Sequence, residues 1–358
     1  MYDAQQNFLR EKHGYRCNIC GKFYPYIELD YQDTRINPRK YAKVKGTLRK
    51  GKKAAVVFAG QYYYAKNKKT LLKFEADSDG VFQESDAIPI MGEVYQTIVS
   101  SDEKYIATET FGGTIGVMDV QAKQYIAKKR QTEINGEFIF TQDNKILYFH
   151  NESIKLWDFC NDLEQILWSA PAEWKKSEDP QKQIRIGCSN IIYNRKEQNY
   201  LFVCAAINKT YVVTLKDMQL KQVVELPAKP PNSQLVFEEH SNQYTLPTND
   251  DVLIYDSDFC IVETIVPPHI VKNHDGGGMF PVTRHVTKNP YRVFFSPDGN
   301  WLLLDYFTFV ILMRHEGLSI EYCLYSDTGT VAQHMGFVDN NHIWYTWADT
   351  TYIREIGK

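Results

Sequence analysis

The stretch VFFSPDGNWLLL, at residues 293–304, decides the fold of this 358-residue chain. Two apolar segments flank a Ser-Pro-Asp-Gly turn, in which Pro fixes φ and Gly accepts the backbone angles of a tight turn. The stretch therefore predicts a β-hairpin. Looser copies of the same pattern are IVSSDEKYIAT (98–108), IFTQDNKILYF (139–149), IYNRKEQNYLFV (192–203), VFEEHSNQYTLP (236–247) and GFVDNNHIWYT (336–346).

A second set of apolar segments marks a third strand in each repeat. Their central residues are Phe74, Met118, Trp157, Thr214, Tyr255, Met313 and Ile353. The steps between them are 44, 39, 57, 41, 58 and 40 residues, and four of these are near the ~40–45 residues of a four-stranded repeat. Aromatic residues make up 14% of the chain and favour strands. The sequence therefore predicts an all-β protein of seven four-stranded repeats.

These repeats, with FSPDGNWLLL (295–304) and IKLWDF (154–159), resemble the WD40 and YVTN-like β-propeller superfamily over residues 54–358. The resemblance implies a single seven-bladed β-propeller with four-stranded blades. The chain departs from strict WD40 repeats, because no Gly-His pair opens the repeats and Trp-Asp occurs once, at Trp157-Asp158. The resemblance therefore points to a divergent or YVTN-like propeller, and it implies no particular function.

The last repeat has room for only three strands before the chain reaches residue 358, which would leave an open sheet edge. We expect the aromatic segment at residues 22–29 to supply the missing outer strand, by analogy with the overlap closure of propellers. Residues 1–53 would then be an N-terminal extension that holds a C-x-x-C knuckle, the closing strand and a basic linker.

Three long inter-blade segments would then lie on one face, at residues 32–53, 170–184 and 267–290. Residues 35–53 contain nine Lys or Arg and no acid. This stretch predicts either a patch for an acidic protein, a patch for nucleic acid on which Tyr41 stacks, or a solvated loop. Its candidate binding residues are Arg39, Lys40, Tyr41, Lys43, Lys45, Arg49 and Lys50.

The other two segments carry three further candidates. Trp174 is either a binding anchor or a side chain folded back onto its blade. His274 and Asp275 precede a run of three glycines, which predicts a mobile polar loop over the central opening. Nearby His269 and His285 complete a histidine set whose spacing matches no compact metal site.

The C-x-x-C pair Cys17 and Cys20 resembles half of a zinc site, with His13 as a third ligand. The fourth ligand is missing, so the alternatives are a redox pair, two ordinary thiols or a half-site completed in a dimer. We therefore expect no cofactor, and zinc at His13, Cys17 and Cys20 is the metal hypothesis that we retain.

The sequence lacks G-x-S-x-G, H-E-x-x-H and Walker A motifs, although propeller enzymes assemble their sites from scattered residues. We predict a non-enzymatic binding platform for a protein or peptide partner. The alternatives are a hydrolase- or lyase-type enzyme with a site at the central opening, and nucleic-acid binding through residues 35–53. The chain has no signal peptide and no long apolar run, so we expect a cytoplasmic monomer with no membrane contact.

Overall fold

Most of the seven repeats are covered by the structure, a computed structural model. It describes residues 8–11, 14–17, 23–29, 44–49, 56–59, 62–67, 70–76, 82–91, 94–110, 112–130, 137–175, 186–206, 209–227, 234–248, 251–267, 269–273, 284–287, 290–306, 309–318, 320–325, 332–347 and 350–356.

Strands dominate these residues. They are β1 (Phe8–Glu11), β2 (Gly14–Cys17), β3 (Phe23–Leu29), β4 (Val44–Arg49), β5 (Val56–Ala59), β6 (Tyr62–Asn67), β7 (Thr70–Ala76), β8 (Phe82–Pro89), β9 (Val94–Val99), β10 (Tyr105–Thr110), β11 (Thr114–Asp119), β12 (Gln124–Arg130), β13 (Phe138–Phe140), β14 (Ile146–His150), β15 (Ser153–Asp158), β16 (Leu163–Ser169), β17 (Gly187–Asn194), β18 (Asn199–Ala206), β19 (Lys209–Lys216), β20 (Gln219–Leu226), β21 (Val236–Glu238), β22 (Gln243–Pro247), β23 (Val252–Tyr255), β24 (Ile261–Ile265), β25 (His269–Asn273), β26 (Arg284–Thr287), β27 (Arg292–Phe295), β28 (Trp301–Asp305), β29 (Phe309–Arg314), β30 (Ile320–Tyr325), β31 (Ala332–Asp339), β32 (His342–Trp347) and β33 (Thr350–Glu355). Two short 3-10 helices, Ala172–Lys175 and Glu316–Leu318, are the only helical segments of the described chain.

Seven four-stranded sheets account for most of these strands, and each takes its strands in chain order. Sheets 1 to 6 are β5–β8, β9–β12, β13–β16, β17–β20, β21–β24 and β27–β30; sheet 7 is β31–β33 with β4 as its fourth strand. The seven repeat residues named above all fall on third strands. The prediction of an all-β chain with seven four-stranded repeats is therefore confirmed.

The turns explain why the repeats share acidic and hydroxyl residues. In the turn after β27, Ser296 Oγ donates to Asp298 Oδ1 at 2.6 Å, and Trp301 N donates to Ser296 Oγ at 3.0 Å. In the turn after β15, Asp158 Oδ1 accepts the Asn161 amide at 3.2 Å. The acids thus satisfy turn amides that would otherwise lack partners.

The single Trp-Asp pair is structural as well. Trp157 is buried in the core, and its Nε1 donates to Asp162 Oδ1 at 3.1 Å. Asp158 caps the turn that follows. Both residues therefore have roles in the fold.

All seven sheets have a register shift between the third and fourth strands. A bulge inserts an extra residue and bends the strand, which discourages edge-to-edge pairing with another sheet. Sheets 2 and 4 have a further shift between their first and second strands, but the shift at the outer strand is the one that all seven sheets share.

The chain divides into two compact units: residues 43–226 with 343–357, and residues 1–42 with 227–342 and 358. In the first unit, apolar cores fill the spaces between sheets 1 and 2, sheets 2 and 3, and sheets 3 and 4. In the second unit, a core of ten buried residues joins sheets 5 and 6.

The assignment of residues 22–29 as the closing strand is wrong. β3 pairs antiparallel with β2 and parallel with β25, in a separate five-stranded sheet of order β1-β2-β3-β25-β26. The fourth strand of sheet 7 is β4, which pairs antiparallel with β33. β4 lies just before β5, where other fourth strands lie relative to the next repeat, so a short connection favours it.

Two of the predicted inter-blade loops are corrected by the same topology. Residues 32–53 contain β4, and residues 267–290 contain the antiparallel pair β25 and β26. The polar and basic side chains of these segments hid their strands, because charged residues are uncommon in strands.

We predict that removing residues 1–50 lowers the melting temperature more than removing residues 1–32. Both deletions remove β1 to β3, but only the longer one removes β4 and leaves β33 with an open edge. Thermal unfolding should separate the two truncated proteins by roughly 5–10 °C. Coincident melting curves would contradict the assignment of β4.

Candidate interaction surface

Large apolar side chains that face solvent are concentrated on the fourth strands. Of the eight such residues in the described part of the chain, seven lie on β12, β16, β20 or β24. They are Ile126, Leu163, Ile166, Leu220, Val223, Ile261 and Val262. Single exposed apolar residues are common on protein surfaces, but a concentration on one class of strand indicates a contact surface.

Several of these side chains face one groove between β16 and β20. Leu215 and Val213 pack into the core between sheets 3 and 4, and Leu220 and Val223 lie directly opposite them in the ladder. Residues directly opposite each other point to the same side of a sheet. Leu220 and Val223 therefore point toward sheet 3.

The β16 side of the groove follows by the same argument. Leu156 packs against that core, and Gln165 lies opposite it. Leu163 lies two residues before Gln165 and so shares its side of the sheet. We define the outer groove by Leu163, Trp168, Leu220 and Val223; Leu163 is 66% exposed, Leu220 48% and Val223 40%.

Trp174 helps to build the base of this region. Its ring stacks on Tyr211 with 3.8 Å between centroids, and the Trp168 ring lies 5.5 Å away. Of the two alternatives for Trp174, the structure therefore has the side chain folded back onto sheet 4. The 3-10 helix at Ala172–Lys175 turns the chain so that this stacking is made.

Charged groups beside the groove are already paired. Lys209 Nζ lies 2.8 Å from Glu225 Oε1. Glu164, next to Leu163, points to the other side of sheet 3, where it contacts Lys129 of sheet 2 and Tyr148, and where Lys155 Nζ lies 3.2 Å from its Oε1. Burial alone would raise the pKa of Glu164, but hydrogen bonds from these partners lower it to about 2. The groove therefore presents an apolar surface flanked by one internally neutralised pair, Lys209–Glu225.

A partly buried polar cluster lies on or directly beside the first strands of sheets 2 to 4. Gln96 lies opposite Glu109 in the ladder, and a hydrogen bond joins Gln96 to Glu137. Burial raises the pKa of Glu137 to about 7, against the smaller effect of Gln96. Burial also raises the pKa of Cys188, and a hydrogen bond with Cys204 and the nearby charge of Glu137 raise it further.

Most of the residues predicted from the sequence are not brought together here. Lys45 and Arg49 lie on β4, whose backbone is part of sheet 7, and Cys17 ends β2. The remaining candidates lie outside the described residues: Arg39, Lys40, Tyr41, Lys43, Lys50, His274, Asp275, His13 and Cys20. Within the described residues, no group of three or more His, Cys, Asp or Glu is arranged to hold a metal ion.

The outer groove was missed because its residues look like ordinary strand residues. The available signal was local: LEQIL at residues 163–167 places apolar side chains on both faces of an outer strand. A strand with one solvated face normally alternates apolar and polar residues.

Comparisons with known proteins address the fold. No protein-family model matches the chain, and no curated protein matches it in sequence. Hydrazine synthase of Kuenenia stuttgartiensis has a similar structure, with a TM-score of 0.58, 9% identity, and coverage of 92% of this chain and 99% of that one. The Cps50 (Swd1) β-propeller domain of Myceliophteria thermophila has a TM-score of 0.59, 10% identity, and coverage of 88% and 99%.

The chain has the β-propeller fold. Its seven four-stranded sheets are the blades, and the similarity to the Swd1 domain confirms the predicted propeller resemblance at the level of the fold. Identities near 10% say nothing about activity, and one of the two neighbours bears the name of an enzyme. Among the described residues, no helix has the length and apolar character needed to cross a membrane.

We predict that Glu137→Gln removes a pH dependence of stability. With a pKa near 4.5 unfolded and about 7 folded, the wild-type carboxyl ionises first in the unfolded chain. The contribution of this carboxyl to the free energy of unfolding is thus fully present below its pKa in the unfolded chain, and it is lost as the pH rises toward 7. The loss amounts to about 3 kcal/mol.

Urea unfolding at about pH 5 and about pH 8 measures this difference. Relative to wild type, Glu137→Gln should gain stability at the higher pH, whereas Glu173→Gln, an exposed control, should not. Parallel pH profiles for wild type and Glu137→Gln would contradict the burial of this carboxyl.

Proposed function

We propose that the chain is a non-enzymatic binding platform for a protein or peptide partner, and that the outer groove is a contact surface. The supporting observation is the exposure of Leu163, Leu220 and Val223 on facing strands of one groove. Exposure of aliphatic side chains to water is unfavourable, and their burial against a partner surface would stabilise the complex.

The surroundings of the groove suit a protein partner. The core of a protein interface is apolar, while its rim is polar and depleted in unpaired charge. The outer groove matches this arrangement, because the Lys209–Glu225 pair and Gln165 flank the apolar residues. The stacked rings of Trp168, Trp174 and Tyr211 make its base rigid. Binding there would therefore cost little conformational entropy.

The finer parts of this proposal remain predictions from the sequence. These are the contribution of residues 32–53, 170–184 and 267–290 to the contact face, the cytoplasmic location and the monomeric state. The nucleic-acid alternative depends on residues 35–53, of which the structure describes only β4.

An enzyme is the second candidate, and one observation favours it. A carboxyl with a pKa of about 7 suits general acid–base chemistry near neutral pH, and Glu137 has such a pKa. A panel of ester, amide and glycoside substrates tests this candidate. Turnover by the wild type that Glu137→Gln abolishes would support it, and no turnover by the wild type would count against it.

We predict that the double variant L163D/L220D loses a protein partner that the wild type captures. Two carboxylates in an apolar contact would be desolvated without partners, so retention should fall at least about tenfold. Quantitative affinity capture from nuclease-treated lysate measures the loss, with circular dichroism to confirm folding.

The matched control is I261D/V262D, which places two carboxylates on β24, outside the groove. This control should retain the partner. Equal capture by wild type and both double variants would contradict the assignment of the outer groove. If the wild type captured a partner from untreated lysate but none from nuclease-treated lysate, the result would point to nucleic acid instead.

A further inference from the structure

The outer strand of sheet 2 differs in charge from the outer strands that form the groove. β12 reads QYIAKKR, and its exposed residues alternate strictly: Gln124, Ile126, Lys128 and Arg130 face solvent, while the residues between them are partly buried. β12 is the terminal strand of its sheet, and no described strand pairs with its second edge. Its outward N–H and C=O groups are therefore available to another strand.

Two of the cations on β12 have no acidic partner among the residues that the structure describes. Lys129 contacts Glu164, which neutralises it. Lys128 lies 5.5 Å from the centre of the Tyr125 ring, and neither Lys128 nor Arg130 makes an ion pair with any described residue. Residues two apart on a strand lie about 7 Å from each other on the same face. The edge thus presents two adjacent positive charges.

The described acids that form ion pairs with β12 or with the turn before it are each held by a lysine. Asp86 accepts from Lys123 at 2.5 Å, and hydrogen bonding to Lys123 is the main reason that its pKa is lowered. Glu164 is held by Lys129 and Lys155. An incoming carboxylate would therefore meet cations without displacing an internal ion pair.

β12 is also held firmly for an edge strand. The Tyr125 hydroxyl accepts from Met91 N at 2.8 Å and lies 3.1 Å from Thr108 Oγ1. Gly116 leaves room for this ring, since a Cβ there would lie 2.7 Å from a Tyr125 ring carbon. A strand fixed in this way loses little conformational entropy when it binds.

The bulge limits where a new strand can pair. Val117 lies opposite Ala127 and Met118 opposite Tyr125, so Ile126 is the extra residue. From Ala127 to Arg130 the ladder with β11 is regular. This regular part carries Lys128 and Arg130, and Ile126, which is 49% exposed, lies at its start.

We propose that the open edge of β12 binds an acidic, extended peptide segment of a partner protein as a fifth strand of sheet 2. Backbone hydrogen bonds to Ala127–Arg130 would align the segment, and its carboxylates would pair with Lys128 and Arg130. An apolar side chain of the segment would cover Ile126. This inference rests on the proposed platform function but uses a different strand from the outer groove.

The probe is a fluorescein-labelled peptide in which Glu and Val alternate over eight residues. Fluorescence anisotropy measures its affinity for the full chain at low and at physiological salt. We expect saturable binding that weakens with salt, and K128E/R130E should weaken it at least about tenfold. K221E, which reverses an exposed charge on β20, is the matched control and should bind like the wild type.

A second peptide of the same charge, with Pro in place of two Val residues, separates strand pairing from general attraction, because Pro removes backbone donors. We expect it to bind at least about tenfold more weakly. The inference would be overturned if the wild type did not bind the peptide, or if the Pro peptide bound equally well. It would also be overturned if K128E/R130E bound the peptide as tightly as the wild type, or if a single-stranded oligonucleotide of equal charge bound more tightly.

Circular dichroism and melting temperature show whether K128E/R130E is folded, and K128Q/R130Q serves if it is not. The outer-groove variant L163D/L220D should bind the acidic peptide normally. If the peptide does not bind but the wild type still captures a groove-dependent partner, this inference alone is overturned. If the wild type neither binds the peptide nor captures a partner, the platform function is overturned as well.

Discussion

Burial of the third strands on both faces is the constraint on which the rest of the structure depends. Val212 and Val213 of β19, adjacent residues that point to opposite faces, are both fully buried, and Ile311 and Leu312 of β29 are buried in the same way. A sheet with such a strand is unstable unless neighbouring sheets cover both of its faces. Within the first unit, apolar cores between sheets 1 and 2, 2 and 3, and 3 and 4 provide this cover. Stacked repeats therefore follow from the composition of one strand.

The same constraint makes the fourth strand the variable part of each repeat. Its position at the sheet edge leaves it the most exposed strand, and the bulge against the third strand weakens its ability to pair with another sheet. A bulge protects only a few residues, however, and β12 regains a regular ladder from Ala127 onward. Protection from aggregation and availability to a partner can thus coexist on one strand, since charged residues such as Lys128 and Arg130 discourage association with another apolar edge.

The sequence predicted the repeats well because their signals are local. Turn residues such as Asp298 and buried third-strand residues such as Met313 lie within one hairpin or one strand of each other, and propensity acts over that range. The pairing of β3 with β25 joins segments about 240 residues apart, and no local pattern specifies it. β4 escaped detection because VKGTLR is basic and contains a glycine, so its place was decided by the open edge of β33 and by its nearness to β5. The outer groove escaped for a different reason: exposure is a property of the assembled sheets, and Leu163 has the same local sequence signal whether it is covered or not.

Residues shared by all repeats therefore explain the fold, and residues that differ between repeats must carry the function. Trp157 and Asp158 resemble a family signature, yet one fills a core and the other caps a turn. The three outer strands of sheets 2, 3 and 4 have equivalent places in their repeats but different surfaces. On β12 two cations have no acidic partner in the described part of the chain, and on β16 and β20 apolar side chains face one groove. Stability alone would not require these differences, because an alternation of polar residues would serve every outer edge equally well. Exposed aliphatic side chains are stabilised when another molecule covers them. Cations that have no acidic partner among the described residues are stabilised, to a smaller extent, by a bound carboxylate. The contrast between neighbouring edges is thus an argument for binding that is independent of any similarity to known propellers.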